Sequence, residues 1–230
     1  MDAVALTEQT TQPISRKRAL IRSVPVFLAL LTIGVINYIV SAQFSLGPRG
    51  LTPGLIVLLV LALAVAIRSG QVHISRSVSM ILLGVVTVAE AISTSVLIVS
   101  LITAPARMSE VPYNSALVLL RDGALIWLVN VLTFSFWYWE LDGGGASRRH
   151  HMGYQSTDFI FPQVTLESHG ERQWVPHYID YLFLAFNTST AYSPTDTQVL
   201  SIRVKLLMMI QSLTSLTLLT IIAARAVNTL

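Results

Sequence analysis

Apolar residues in this chain form long runs, and polar turns rich in Gly, Pro or charged residues separate most of them. About 20 apolar residues in a helix span the ~30 Å hydrocarbon core of a bilayer. Each run of 17 to 26 residues therefore predicts a transmembrane helix. The predicted spans are Val24–Ala42, Leu51–Ile67, Ser77–Ile102, Ala116–Trp137 and Leu206–Ala224.

A sixth apolar segment, Tyr178–Tyr192, is too short for an ordinary span. Its 15 residues would form a helix of about 22 Å, and a turn rich in Ser, Thr and Asn follows. Ser193 at the N-cap and Pro194 at the first helical position predict that the last helix starts at Pro194. A short helix, a polar turn and a full helix are typical of a re-entrant loop, which needs burial in protein or a watery cavity. The alternative is a helical hairpin with a slightly short first helix.

Together these elements predict an all-α integral membrane protein with five transmembrane helices and one re-entrant, pore-like helix before the last span. The chain divides into a disordered tail at 1–15, a four-helix region at 16–141, a polar connecting loop at 142–176, and the re-entrant helix with the last span at 177–230. The apolar patch Phe159–Pro162 in the loop is expected to pack at the membrane surface or under the re-entrant helix.

The first run competes with a second interpretation, a cleaved signal peptide. Val40-Ser41-Ala42 resembles a small-residue cleavage site. The run is longer than the usual apolar core of a signal peptide and carries Asn37 and Tyr38, which favours an uncleaved span. Both interpretations leave the chain after residue 43 on the same side of the membrane.

Composition agrees with a membrane protein. The chain is 53% hydrophobic and only 12% charged, against about 25% charged in soluble domains. It has no Cys, which excludes disulfides and cysteine catalysis, and its net charge of +3 is too small to predict nucleic-acid binding. The spacing of His150, His151, His169 and Glu171 fits no known metal site. Because no acid/base or nucleophile motif converges, we expect no enzyme activity, no metal and no cofactor.

Lys and Arg are distributed unevenly between the predicted loops, which sets the orientation. With a cytoplasmic N-terminus and a re-entrant Tyr178–Tyr192 segment, eleven basic residues lie inside and four lie outside. This count predicts a multi-pass cell-membrane protein with an external C-terminus and a re-entrant turn that enters from the cytoplasm. If the segment spans fully, the count becomes ten to five, so charge favours re-entry only weakly.

The tail DYLFLAFNTSTAYSPTD…RVKLLMMIQSLTSLTLLTIIAARAVN resembles the pore module of two-helix potassium channels. The resemblance implies that Asp180 begins a pore helix and that Thr190-Ala191-Tyr192-Ser193 stands at the filter. A potassium filter places glycines at unusual backbone angles, and no glycine follows Gly170. A filter of the known type is therefore not expected, whereas a less selective pore built from hydroxyl groups is. The filter-like residues are Thr188, Ser189, Thr190, Ala191, Tyr192 and Ser193.

The tail and the four spans before it also resemble a family of bacterial membrane proteins of unknown function. Those proteins share a DYLYF-type segment, an Arg-rich start of the last helix and a terminal Val-Asn, here Val227-Asn228. This second resemblance implies a location in the bacterial inner membrane and no particular activity.

Glu90 is the sharpest polar signal inside a predicted span. It lies near the middle of the third span, with Thr87 and Thr94 on the same face. A charged carboxylate at that depth is costly, so we expect it to be protonated, paired or beside water. An ion or proton site and a hydrogen bond that holds the bundle together are both open. Asn130 and Asn37 are candidate partners.

The last span is unusually polar for a transmembrane helix. Gln211, Thr214, Ser215 and Leu218 fall on one helical face. Such a stripe can line a water path, and it can equally form hydrogen bonds across a tight helix pair.

The leading functional interpretation is a channel-like protein that passes monovalent cations. One small chain cannot enclose a pore, so a homo-oligomer is expected, with a tetramer favoured and the Ser/Thr turn and last helix as lining. One alternative is a non-conducting structural or partner-binding membrane protein whose re-entrant helix only packs. The other is a proton-coupled transporter centred on Glu90, although the chain lacks the internal repeats of such transporters.

Overall fold

Helices make up most of the described chain. The structure is a computed structural model that describes residues 16–40, 53–58, 60–61, 65, 72–103, 113–145, 148–149, 154–166, 174–190 and 196–229. The helices are α1 (Arg16–Ile39), α2 (Val72–Thr103), α3 (Tyr113–Leu141), α4 (Pro162–Leu166), α5 (Tyr178–Thr190) and α6 (Ile202–Thr229). The strands are β1 (Phe159–Ile160) and β2 (Gln198–Val199), and Asp142–Gly144 forms a 3₁₀ turn.

Three helices in this part of the chain are long and apolar enough to cross a membrane. Their spanning stretches are Ser79–Val99 in α2, Leu120–Gly144 in α3 and the 3₁₀ turn that follows it, and Ile202–Ala224 in α6. The predicted first span overlaps α1. The apolar part of α1, Phe27–Ile39, is shorter than the three spanning stretches. The predicted second span is helical wherever it is described, at 53–58, 60–61 and 65. Its other residues, and the predicted tail at 1–15, lie outside the described residues.

Helix α3 is the centre of the bundle. It packs against α1, α2, α5 and α6, and 72% of its spanning stretch is buried, compared with 29% in α2 and 17% in α6. The outward faces of α2 and α6 are apolar, whereas Glu90, Asn130, Thr133, Gln211 and Ser215 are buried. This distribution reverses that of a water-soluble domain, where polar side chains face outward.

Three consecutive glycines turn the chain at the end of α3. Gly143, Gly144 and Gly145 have φ values of 59°, 78° and 97°, a region that side chains other than glycine rarely adopt. A Cβ on Gly145 would lie 3.2 Å from the backbone oxygen of Glu140. The turn therefore requires glycine, and it directs the connecting loop back under the bundle.

The connecting loop is part of the core. Phe161 lies 5.3 Å from the ring of Tyr181 on α5, and Phe159 lies 6.1 Å from the same ring. Of the two predicted positions, the membrane surface or under the short helix, these contacts show packing against the short helix. Helix α3 continues to Leu141, beyond the predicted end at Trp137, and the Tyr138 side chain is completely buried.

The predicted start of the last helix at Pro194 is wrong. Helix α6 begins at Ile202, and the preceding segment forms β2, which pairs antiparallel with β1. The N–H of Leu200 donates to the carbonyl oxygen of Asp158 at 2.9 Å. Because the backbone groups before Ile202 bond to the connecting loop, they cannot form the first turns of a helix.

Candidate functional site

The short helix α5 is the element around which the candidate site is built. Its 13 residues give a length of about 20 Å, less than the ~30 Å hydrocarbon core. Oδ2 of Asp180 accepts the N–H of His177 at 2.6 Å, as an acidic residue at the third helical position does in a capping box. Asp180 therefore fixes the beginning of α5.

Helices α5 and α6 both begin at the C-terminal end of α3. The Tyr181 hydroxyl, in the first turn of α5, donates to Oδ2 of Asp142 at 2.6 Å. The N–H of Asp158 donates to Oδ1 of Asp142 at 3.2 Å. The Asp158 carboxylate in turn accepts two hydrogen bonds from Arg203 in the first turn of α6, at 2.9 and 2.7 Å. One set of contacts thus ties the starts of both helices to the same place.

The end of α5 lies beside the middle of the spanning stretch of α6, Ile202–Ala224. Ser212 Oγ donates to the carbonyl oxygen of Thr188 at 3.1 Å, and Gln211 donates to the carbonyl oxygen of Ala185 and to Ser189 at 2.9 and 2.7 Å. Gln211 is about 14 Å along α6, and Thr188 is about 15 Å along α5. The two helices therefore run side by side in one direction from a common starting level.

Gln211 is the central polar residue of the helix contact. Its side chain is fully buried. The carbonyl oxygen accepts the Tyr138 hydroxyl of α3, and the amide group donates to Ala185 and Ser189 of α5. One acceptor and both donors are thus used inside the chain, as a buried amide requires. Gln211 joins three helices at one point.

The predicted lining residues of α6 face the interior of their own chain. Gln211, Ser215 and Leu218 have no solvent exposure, and Ser215 Oγ donates to Oδ1 of Asn130 on α3 at 3.1 Å. Thr214 is half-buried and donates to the carbonyl oxygen of Ile210 in its own helix. Gln211 and Ser215 therefore form hydrogen bonds between packed helices, one of the two roles that the sequence left open, whereas Thr214 does not.

The predicted filter residues are only partly described. Thr188 and Thr190 are half-buried, and their hydroxyls donate back to carbonyl oxygens of Leu184 and Phe186 in α5. Ser189 is buried and accepts from Gln211. Ala191, Tyr192 and Ser193 lie outside the described residues. The described members thus bond within α5 or to Gln211.

Asp142 is a buried carboxylate that sequence reasoning missed. Oδ1 accepts the N–H groups of Asp158 and Phe159 at 3.2 and 3.3 Å, and Oδ2 accepts the hydroxyls of Tyr154 and Tyr181 at 3.0 and 2.6 Å. Four donors occupy the acceptor positions of one carboxylate. We call Asp142, Arg149, Tyr154, Asp158 and Tyr181 the Asp142 cluster.

Arg149 supplies the positive charge of the Asp142 cluster. It is buried and donates to the carbonyl oxygens of Trp139, at 2.7 Å, and of Asp142. Its guanidinium lies 4.5 Å from the centre of the Trp139 ring and 5.5 Å from that of Tyr181. A cation that caps the free carbonyls at the end of α3 is favoured by the helix dipole and by the aromatic faces. In the sequence, Arg149 is indistinguishable from a solvent-exposed loop residue.

The electrostatics of the loop agree with these contacts. Burial raises the pKa of Asp158, but hydrogen bonds from Arg203 and Thr157 outweigh this effect and hold the pKa below its usual value. Burial and the adjacent Asp142 raise the pKa of Tyr154, so its hydroxyl stays protonated and can donate. Asp158 and Tyr154 are thus in the protonation states that their hydrogen bonds need.

Glu90 lies apart from this site, between α2 and α3. Oε1 accepts the hydroxyl of Thr133 at 2.6 Å, so its partner is neither of the predicted asparagines. Asn130 accepts from Ser215, and Asn37 donates to the carbonyl oxygen of Ile33 in its own helix. One turn away, Trp137 Nε1 donates to Thr87 at 2.8 Å. Polar contacts therefore attach α2 to the central helix.

Within the described ranges, no group of three or more His, Asp or Glu side chains is placed to hold a metal ion. His150, His151, His169 and Glu171 lie outside those ranges. Comparison with known protein families, curated proteins and solved structures gives no match to this chain. Both resemblances stay predictions, and the function must be argued from the side-chain geometry.

Proposed function

We propose that the protein is a channel-like membrane protein in which α5 is a re-entrant helix. The observation that carries the proposal is the common starting level of α5 and α6, together with the position of Thr188 beside Ser212, halfway along the spanning stretch Ile202–Ala224. A chain that enters beside Asp142, extends about 20 Å and comes back to Asp158 does not cross the ~30 Å hydrocarbon core. An ordinary hairpin would start α6 at the far end of α5.

The apolar outer surface supports a position inside the bilayer. The large apolar side chains that α6 exposes lie on the face opposite to Gln211 and Ser215. Lipid tails can solvate such a face, and the buried polar groups then satisfy one another. With α1 and the helical residues between 53 and 65, the proposed architecture has five spans around the re-entrant helix. These outward faces are Leu206, Met209, Ile210, Leu213 and Leu216 on α6, and Ile81, Val85, Val88 and Ile92 on α2.

The proposed passage lies at the end of α5. Carbonyl groups at the C-terminal end of a helix carry partial negative charge, and in the proposed arrangement that end of α5 lies inside the bilayer. This arrangement favours a monovalent cation beside the turn Thr188–Ser193. In this proposal Gln211 bonds to α5 and Ser215 bonds to α3, so neither residue lines the passage. Because a single chain does not enclose an axis, several copies must surround it, and four is the expected number.

Cation flux through liposomes tests the proposal. We expect purified wild-type protein to release trapped monovalent cations, and the double variant Thr190→Leu/Tyr192→Leu to lose the flux. Thr217→Leu is the matched control, because that hydroxyl bonds to Leu213 in its own helix and lies outside the turn. Equal leak from wild-type, double-variant and empty liposomes would contradict the channel function.

A non-conducting, partner-binding membrane protein is the second candidate. One observation favours it: the outward face of α5 is apolar, with Ile179, Phe183 and Phe186 all exposed. Such a face can pack against lipid or another protein without a water path. A monomeric or dimeric protein in the membrane, without flux, is the expected result for this candidate.

A further inference from the structure

The α2–α3 interface holds a carboxyl group that the proposed passage does not use. Glu90 is only 9% exposed, and Val86, Ala89, Thr94 and Leu97 on the same helix are buried with it. The hydroxyl of Thr133 is its hydrogen-bond partner, and Thr133 is itself fully buried. The carboxyl group therefore sits in an apolar, close-packed interface with one neutral donor.

No positive charge faces this carboxyl group in the described chain. The ion pairs found there are Arg121–Asp122 and Asp158–Arg203. On α2, Arg76 is fourteen residues away, about 21 Å. On the two helices packed against α2, the charged residues are near the ends: Arg121, Asp122, Glu140, Arg203, Lys205 and Arg225. Measured along the helix axes, each of these residues lies at least about 10 Å above or below Thr133.

We propose that Glu90 is a proton-binding site whose neutral form docks α2 onto α3. An unpaired carboxylate in this interface would lack the water or counter-charge that it needs. A bound metal ion is a poorer fit, because hard cations take about six oxygen ligands and Thr133 is the hydrogen-bond partner of Glu90 in the described structure. The ligand is thus the proton, and the site is independent of the proposed channel function.

Release of the proton has a structural consequence. The resulting charge would favour any arrangement that admits water between α2 and α3. The neighbouring bond from Trp137 to Thr87 belongs to the same interface, so both polar contacts would open together. Protonation therefore keeps the interface closed.

Infrared difference spectroscopy of wild-type protein and the Glu90→Gln variant in liposomes at neutral pH tests the protonation state. We expect the variant to lose a carboxylic-acid C=O band, and Thr133→Val to shift that band because it removes the hydrogen bond. Loss of carboxylate bands instead would overturn the proposal. Glu90→Gln is also expected to fold with an unchanged melting temperature, because the amide imitates the neutral acid. A variant that fails to fold counts against it as well.

Cysteine labelling measures the opening of the interface, and the natural chain has no Cys to interfere. Thr94, one turn from Glu90, is buried. We expect Thr94→Cys to react with a water-soluble maleimide increasingly fast as pH rises. With Glu90→Gln added, only the smaller acceleration from thiol ionisation should remain. Identical pH profiles in the two proteins would show that Glu90 does not control the interface.

Discussion

At the scale of single residues, four buried polar side chains of α3 each have a partner on a neighbouring helix. Thr133 bonds to α2, Ser135 shares a hydrogen bond with Tyr178 of α5, and Asn130 and Tyr138 bond to α6. Within a bilayer no water can replace a lost partner. These side chains therefore select which helix lies on which face of α3.

Replacing Gln211 tests this role. Gln211→Leu leaves the buried Tyr138 hydroxyl and the Ser189 hydroxyl without their partner, and we expect a loss of about 1–2 kcal/mol of stability. Thr217→Val, which removes a hydroxyl that bonds within α6, should cost much less. Thermal unfolding in detergent micelles measures both. Equal effects of the two substitutions would argue against Gln211 as the joint of three helices.

Acid should weaken the link between the connecting loop and α6. The pKa of Asp158 is below its ordinary value of 3.8 in the folded protein. A depressed carboxyl pKa contributes stability above the unfolded value, and this contribution is lost as pH falls through the folded value. The melting temperature should therefore drop as pH falls below about 4, and Asp158→Asn should flatten this part of the curve.

The exposed Asp196 provides the matched control. Asp196→Asn should leave the acid limb of the stability curve unchanged, because no described hydrogen bond joins its side chain to another element. At neutral pH, Asp158→Asn should lower stability by about 1 kcal/mol, since Arg203 is half-exposed and keeps contact with water. An acid limb that persists in Asp158→Asn would place the titrating group elsewhere.

At the scale of elements, α2, α3 and α6 come close together where α3 carries a glycine. A Cβ on Gly123 would lie 2.9 Å from Cδ1 and 3.0 Å from Cγ1 of Ile222 on α6, and 3.7 Å from Leu97 on α2. Small residues at such crossings let membrane helices approach closely. The glycine thus sets the spacing at the end of the bundle away from the Asp142 cluster.

Two glycine substitutions separate crowding from helix propensity. Gly123→Ala should destabilise the protein by about 1–2 kcal/mol, because Ile222 must move aside. Gly84→Ala on α2 should be neutral or slightly stabilising, because a Cβ at that position would meet no other side chain within 4 Å. Unfolding of the two variants in micelles gives the comparison. A Gly123→Ala protein as stable as wild type would show that the crossing has spare room.

Sequence reasoning predicts the long helices well because bilayer thickness sets their length. The runs of α2, α3 and α6 are visible in the order of residues alone, and so is the shortness of α5. Sequence reasoning does not predict features that depend on contacts between residues far apart in the chain. The start of α6 at Ile202 depends on β1, some forty residues earlier, and the role of Asp142 depends on Tyr154 and Tyr181. The sequence identifies Gln211 as an unusual polar residue in a span, but it does not show that its side chain points to α5, because that depends on how α5 packs.

At the scale of the whole molecule, the Asp142 cluster gathers three helix ends. The end of α3 and the starts of α5 and α6 meet there, and β1 and β2 hold the segment that comes back from α5. The opposite ends of α3 and α6 meet at Gly123. Helix α5 has no counterpart at that level among the described elements, which gives the bundle one half-length member.

This architecture predicts which side of the membrane His177 and Gln198 face. Both are exposed, one just before α5 and the other on β2, just before α6. If α5 is re-entrant, single cysteines placed at these two positions in the cysteine-free chain react from the same side. The excess of Lys and Arg predicts that this side is the cytoplasm.

Labelling with a membrane-impermeant maleimide in vesicles of known orientation shows on which side of the membrane each position lies. We expect His177→Cys and Gln198→Cys to react in inverted vesicles and to stay protected in right-side-out ones. Reaction of the two positions from opposite sides would make α5 a full crossing and remove the basis of the proposed passage. Reaction of both from outside would preserve the re-entrant helix and reverse only the orientation. The Asp142 cluster joins the start of α5 to the start of α6. We therefore expect both labelled positions to lie on the same side of the membrane in either orientation.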